Sequence, residues 1–310
     1  MAKYVFGVDI GGTTVKIGLI STDGTMIEKW EIPTRKENNG ANILSDVAAS
    51  IKGKLAERNI PDSEVAGVGV GVPGPVSADG LVLRAVNLGW TDLNVSKEFE
   101  KLTGFKTAAG NDANVAALGE MWKGGGMGYN SIVMVTLGTG VGGGIIIDGK
   151  ILTGALGAGG EIGHIHVRDG EERTCGCGNH GCFEQYCSAT GVSYLAKKHF
   201  ENYNGTTVLT KEDLSAKAVF DGVKAGDALS KEIAEEFGEC LGKGLSVIAT
   251  IINPEAIVIG GGVSKAGQVI IDYTTPSFKE NVFSDCGKLK MLLATLGNDA
   301  GMYGAAKLVL

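Results

Sequence analysis

One pattern occurs twice in this chain and restricts its fold more than any single motif. Residues 4–10, YVFGVDI, read as a mostly apolar strand, GGTT follows as a turn, and VKIGLIS at 15–21 returns as a partly alternating strand. The order recurs as the strand SIVMVTL at 131–137, the turn GTG at 138–140 and the strand GGGIIID at 142–148. A repeated strand-turn-strand unit predicts two related halves. In the first half, the turn at 21–24 leads into a third strand, TMIEKWEI. Residues 42–58 then set Ile43, Leu44, Val47, Ile51 and Leu55 on one helical face, and VAGVGVGVPG at 65–74 reads as a buried strand running into a loop. In the second half, 227–252 reads as a long helix, EAIVIGGGVS at 255–264 as a strand, and Asn298–Leu310 as a final helix. Strands alternating with helices in this way make an α/β architecture. At 310 residues the chain exceeds the usual single-domain length of about 150, so two domains are expected, with the cleft between them as the default ligand site.

Charge and composition narrow the partners. The chain carries 28 basic and 35 acidic residues, net −7, without a concentrated basic run or interleaved aromatics, which argues against nucleic acid. The start, MAKYVFGVDIGG, runs straight into strand sequence with no apolar signal core, and no stretch approaches the ~18 apolar residues of a membrane span. A cytoplasmic protein without membrane contact is the expectation. In that setting six cysteines are more often metal ligands or core thiols than disulfides.

Three of those cysteines lie in EIGHIHVRDGEERTCGCGNHGCFE, residues 161–184. Cys175, Cys177 and Cys182 fall within eight residues among glycines, and His164 sits eleven residues before the first of them. A Cys₃His tetrahedral zinc site is geometrically easy there, the alternative being a disulfide loop with a leftover thiol. Four protein ligands leave no open coordination position, so the ion would be structural and would hold Glu184 in place. A neutral His164 ligating through one ring nitrogen keeps an N–H on the other for a substrate oxygen, and Glu161 would reach the same cavity. His166, His180 and His199 read as ordinary surface or turn histidines, and Cys187, Cys240 and Cys286, with no assigned role, as core or near-surface thiols.

Phosphate chemistry has three candidate turns. Asp9 ends the first strand before GGTTVK, where backbone N–H groups and the hydroxyls of Thr13 and Thr14 can surround phosphate oxygens and Lys16 adds charge. Asp9 itself can hold Mg²⁺, directly or through water. Gly138, Thr139 and Gly140 offer a second turn, and Gly260, Gly261 and Gly262, after a buried strand, a third that would admit a nucleoside. Each alone is also what an unliganded glycine-rich hairpin looks like. GTGVGG at 138–143 fits the dinucleotide fingerprint, but a strand follows it where a helix is required, and GIIIDGKI at 144–151 lacks the Ser or Thr of a P-loop. Asn111 and Asp112 precede a helical stretch to about 120. An Asx pair there is an ordinary helix cap, but beside phosphate turns and paired glutamates Asp112 is also the best available base for a substrate hydroxyl.

DIGGTTVK, LGTGVGGGIIIDGKILTGALGAGGEIGH and CGCGNHGCFE together resemble the ROK family of sugar kinases and repressors, with the zinc motif and its upstream EIGH the most specific part. The resemblance runs from about Tyr4 to the last helix, and within the family it is strongest to bacterial ATP-dependent glucokinases; the NLGW segment at 87–90 points weakly the same way. It implies a two-domain actin-like, hexokinase-like ATPase fold of the ribonuclease H-like kind, with an interdomain cleft. It also implies a smaller domain over 1–117 joined by the C-terminal helix 298–310, and a larger one over 118–297 carrying the zinc loop. Asp112 corresponds to the catalytic base, while Gly74, Asn111, Glu161, His164 and Glu184 correspond to sugar ligands. His164, Cys175, Cys177 and Cys182 match the zinc ligands, and Asp9, Gly11, Gly12, Thr13, Lys16, Gly138, Thr139, Gly140, Gly261 and Gly262 match the nucleotide turns. The implied reaction is transfer from Mg·ATP to a hexose, glucose above N-acetylmannosamine, N-acetylglucosamine, mannose or fructose, by a homodimer or homotetramer. Sugar-responsive repressors in the family carry a helix-turn-helix ahead of the sugar domain; with the first strand at Tyr4 and the Asp9 turn intact, a kinase is the expectation.

Overall fold

The computed structural model describes residues 2–310, which divide into two compact units. The first holds the residues up to Asn130 with Gly144–Gly160 and Leu296–Leu310; the second holds Ser131–Gly143 and Glu161–Thr295. A boundary at residue 117 would fall inside the helix Asp112–Lys123, which is continuous and lies wholly in the first unit.

The first unit contains β1 (Tyr4–Ile10), β2 (Thr14–Ser21), β3 (Met26–Pro33), β4 (Val65–Val72), β5 (Leu81–Ala85), β6 (Trp90–Asn94) and β7 (Thr107–Asn111). Its main sheet runs β3-β2-β1-β4-β7, antiparallel from β3 to β1 and parallel from β1 to β7. The central strands β1 and β4 are almost wholly apolar because helices cover both faces, whereas edge strand β3 alternates between half-buried and exposed. On one face the apolar stripe of helix Ile43–Glu57 packs with Phe6, Val8, Val68 and Val70; on the other Ala306 and Val309 meet Val5 and Ile20. The small β5-β6 sheet turns at NLGW, with Gly89 left-handed at φ 76°.

Helix Ala300–Lys307 closes the first unit at backbone contact, and glycine permits it. A Cβ on Gly7 would lie 1.8 Å from the Met302 carbonyl oxygen, one on Gly69 1.6 Å from that of Ala305, and one on Gly304 1.6 Å from that of Val115. We therefore expect Gly304→Ala to push Ala300–Lys307 off helix Asp112–Lys123. Overpacking of this kind costs about 1–3 kcal/mol, read as a lower denaturant midpoint at unchanged slope.

The second sheet, made of β8 (Ile132–Leu137), β9 (Val141–Ile147), β10 (Lys150–Ile151), β11 (Ala256–Gly260) and β12 (Lys290–Leu293), runs β10-β9-β8-β11-β12. This is the first sheet's order strand for strand, including the parallel β8-β11-β12 half, and it is what the repeated strand-turn-strand pattern predicts. The long helix covers Ala228–Ile252, with the Asp227 side chain accepting the Ser230 N–H as its cap and Asn253 ending it left-handed at φ 48°. Leu229, Ile233, Phe237, Leu241 and Leu245 form its buried stripe. Among the described residues no helix is long and apolar enough to cross a membrane.

Candidate active site

In the first unit, the Asx pair resolves into two roles. Asn111 ends β7 and caps the following helix, its Oδ1 accepting the N–H groups of Ala113 at 3.0 Å and Asn114 at 3.1 Å. Its Nδ2 donates to the Gly74 carbonyl at 3.0 Å and to Asp112 Oδ1 at 3.0 Å. Asp112 is thus the first helical residue, with Oδ1 also 2.8 Å from the Ala113 N–H, at the positive end of the helix dipole. Gly74 has φ 90°, and a Cβ there would sit 2.2 Å from the Arg84 carbonyl oxygen, so this loop tolerates only glycine.

Asp9 stands at the end of β1, opposite Lys16 across the β1-β2 ladder. Burial raises its carboxyl above the usual range; Lys16 opposes this and the nearby Asp112 charge adds to it. Gly301 backs directly onto Asp9, since a Cβ there would lie 2.8 Å from the carboxylate. The Gly11–Thr13 turn closes through Gly11 N–H to the Thr14 carbonyl at 3.0 Å, and Thr34 braces it by donating its hydroxyl to the Gly11 carbonyl at 2.7 Å.

In the second unit, Glu184 joins two of the candidate groups. Its Oε2 accepts the Val141 N–H at 3.1 Å just past the Gly138–Gly140 turn, and a Cβ on Gly140 would meet that oxygen at 2.1 Å. Its Oε1 lies 3.6 Å from the Cys175 sulfur. The turn is braced from the helix Ala189–Asn202: Ala189 N–H donates to the Gly138 carbonyl at 2.7 Å, and the Thr190 hydroxyl to that of Thr139 at 3.0 Å. Gly261, at φ 87° and pressed against the Leu137 backbone, directly follows the neighbouring strand β11. A cavity of about 600 Å³ opens here, lined by Thr139, Thr190, Ser215, Phe220, Gly262 and Lys265 among others. Glu161 is exposed at the start of the short turn Ile162–His164.

The four soft ligands converge, their ligand atoms all lying within 4.8 Å of one another. Cys177 and Cys182 sulfurs are 3.7 Å apart, and Cys175 sulfur is 3.7 Å from His164 Nδ1. A tetrahedral zinc with ~2.3 Å sulfur bonds would need ligand separations of about 3.5–3.8 Å, so the donor set fits the ion in both kind and spacing. His164 turns Nδ1 to the thiols, which leaves Nε2 for another partner. Burial pushes the Cys182 thiol up to about 12 and raises Cys175, while the Asn179 N–H holds Cys177 down. His166 instead bonds the His180 carbonyl and Asp169 at the surface, and the half-buried His199 bonds Glu236.

Several residues here carry no motif. Thr34, Thr190 and Gly301 act across 23, 51 and 292 residues of sequence respectively, and only the folded chain brings them to Gly11, Thr139 and Asp9.

Two braced glycine turns stand at equivalent places in duplicated sheets, one in each unit, and the architecture is that of an actin-like, hexokinase-like ATPase fold. The chain belongs to the ROK family, whose model it matches over residues 5–310. It is 40% identical to the glucokinase of Halalkalibacterium halodurans, covering 99% of this chain and 95% of that one. It is similar, at 32% identity and TM-score 0.74 over 98% of both chains, to the ROK family glucokinase of Streptomyces griseus in complex with glucose and AMPPNP. The ROK hexokinase of Thermus thermophilus matches at TM-score 0.80 and 27% identity over 98% of this chain and 97% of that one.

Proposed function

We propose that the protein is an ATP-dependent glucokinase that forms glucose 6-phosphate and ADP. The observation that carries this reading is the division of labour at 111–112: Asn111 supplies the helix cap, and Asp112 presents a carboxylate beside it. Asp112 accepts the proton of the sugar 6-hydroxyl as that oxygen bonds the γ-phosphorus and the bond to the ADP oxygen breaks. Asn111, Gly74, Glu161, Glu184 and His164 Nε2 hold the sugar's hydroxyls, so the attacking oxygen is positioned in line; positioning is the larger part of catalysis in phosphoryl transfer. Gly11, Gly12, Thr13 and Lys16 receive phosphate oxygens, as do Gly138, Thr139 and Gly140, and the 600 Å³ cavity beside Gly261 and Gly262 takes the nucleoside. Mg²⁺ arriving with ATP neutralises phosphate charge, with Asp9 the residue to hold it. Zinc on His164, Cys175, Cys177 and Cys182 is structural.

ADP release with Mg·ATP, measured across glucose, mannose, fructose, N-acetylglucosamine and N-acetylmannosamine, tests the reading. Glucose gives the highest kcat/KM; no turnover on any sugar from folded, zinc-loaded protein would overturn it.

Asp9 serves function at the expense of stability. A carboxyl raised by burial contributes most to stability below the ordinary carboxylate range, and the contribution is lost as pH rises through its folded value. At pH 7, Asp9→Asn therefore unfolds at a higher temperature than the wild type, and the difference closes toward pH 3. Its turnover falls on the order of 10²-fold, because an amide is a poor Mg²⁺ ligand. Thermal melts at the two pH values, paired with turnover, check both signs.

A further inference from the structure

Gln185 lies one residue beyond Glu184 and is buried, and neither its charge nor its spacing marks it. Its side chain uses both ends. Oε1 accepts the Cys182 N–H at 3.0 Å, and Nε2 donates to the Arg173 carbonyl at 2.9 Å. Arg173 and Cys182 are the two ends of the segment carrying Cys175 and Cys177, so one amide ties the segment shut at its base. Arg173 returns the contact: its guanidinium donates to the Gln185 carbonyl at 3.3 Å and pairs with Glu171 through Nε at 3.0 Å and a second nitrogen at 2.6 Å. Glu171 also accepts the Tyr186 hydroxyl, and the guanidinium stacks 3.3 Å from the Tyr194 ring centroid on helix Ala189–Asn202. The ends of the ligand segment are thereby fastened to two helices without any ion.

We propose that Gln185, backed by Arg173, is a positioning residue that holds the metal-ligand segment and Glu184 in their working geometry. The inference rests on the glucokinase reading for its sugar consequence, but its metal consequence stands by itself. Glu184 is flanked by Cys182 two residues before and Gln185 one after, and its Oε2 has to reach the Val141 N–H. Loss of the clamp loosens the segment, so the ion leaves faster and the Glu184 carboxylate is spread over more positions. The nucleotide cavity is lined by neither Gln185 nor Arg173; it shares with the clamp only the helix Ala189–Asn202, which lines it through Ala189, Thr190 and Ser193 and carries Tyr194.

The test uses Gln185→Met, which keeps the volume and removes both hydrogen bonds, and Gln185→Glu, which keeps an acceptor for Cys182 N–H and loses the donor to Arg173. Zinc release to a colorimetric chelator is followed in full-length protein, together with KM for glucose and for ATP. Partners that orient metal ligands are worth about 10–100-fold in metal affinity, so release from Gln185→Met is expected to accelerate by that factor. Glucose KM rises about tenfold and ATP KM stays within about twofold, with Gln185→Glu between wild type and Gln185→Met. Wild-type zinc retention in Gln185→Met overturns the inference, as does an equal rise in both KM values, which marks general loosening. If Gln185→Met does not fold, the same readouts on Gln185→Glu decide. Wild-type protein that holds no zinc overturns the metal reading and this inference together, and zinc-loaded wild type inactive on glucose overturns the sugar reading alone.

Discussion

Asp112→Asn is expected to lower kcat for glucose by about 10²–10⁴ while the protein unfolds at nearly the wild-type midpoint. The two halves of that expectation have separate origins. A carboxylate can take the hydroxyl proton in the transition state and an amide cannot, so the loss falls on kcat. The helix does not depend on the carboxylate, because Asn111 accepts the Ala113 and Asn114 N–H groups and the oxygen of the substituted amide still accepts from Ala113 at the same place. The change also removes a negative charge near Asp9, which lowers the repulsion there. Steady-state kinetics and a thermal melt on the same preparation settle it: a folded variant with near-normal kcat would remove Asp112 from the role of base. Asn111→Ala contrasts with it, since it removes a cap worth about 1 kcal/mol together with the tether to Gly74.

The parts of this fold legible in the sequence are those with local causes. The alternation and apolar runs of 4–10, 15–21, 65–72 and 132–137 identify strands because a residue's face depends only on its parity, and the stripe of 43–57 is a helix by its period. The metal group is legible because soft ligands at short spacing among glycines have few other uses. What is hidden is set by tertiary approach. Gly304, Gly7 and Gly69 look like any helix or strand glycine until Ala300–Lys307 is laid on β1 and β4. Glu120 resembles an exposed helical carboxylate, yet it is fully buried and accepts the N–H groups of Gly125 and Leu296, both at 2.8 Å. It ties the end of one helix to the approach to another 176 residues away. The Asx pair at 111–112 reads as a helix cap, and the backbone gives that place to Asn111, which has extended φ/ψ, and not to Asp112, which is helical.

Stripping the metal is expected to raise glucose KM at least about tenfold and lower the unfolding temperature, with ATP KM changed less than about twofold. Residues 174–181 read TCGCGNHG and contain no large apolar side chain, and of their side chains only the Cys175 thiol is buried. Ordering eight such residues costs roughly 8–16 kcal/mol of backbone entropy. Against this the segment makes only a few internal bonds, such as Cys175 N–H to Asn179 at 2.8 Å and Gly178 N–H to Cys175 at 2.8 Å, each worth about 1 kcal/mol net. A structural zinc binds with about 10–16 kcal/mol in small domains, which is the size of the deficit. On the proposed reading the ion decides whether the segment is ordered, and His164 and Glu184 depend on that order to meet sugar hydroxyls. The Gly138–Gly140 turn, which Glu184 touches only through the Val141 N–H and Gly140, keeps the braces at Thr139 and Gly138 from helix Ala189–Asn202, so on the proposed reading ATP affinity changes little. Dialysis against chelator, with metal content measured before assay and zinc restored afterwards, separates the effects; Cys175→Ser is the genetic equivalent. Wild-type glucose KM from protein shown to be free of metal would sink the structural role, whereas recovery on adding zinc back ties the loss to the ion and not to damage in handling.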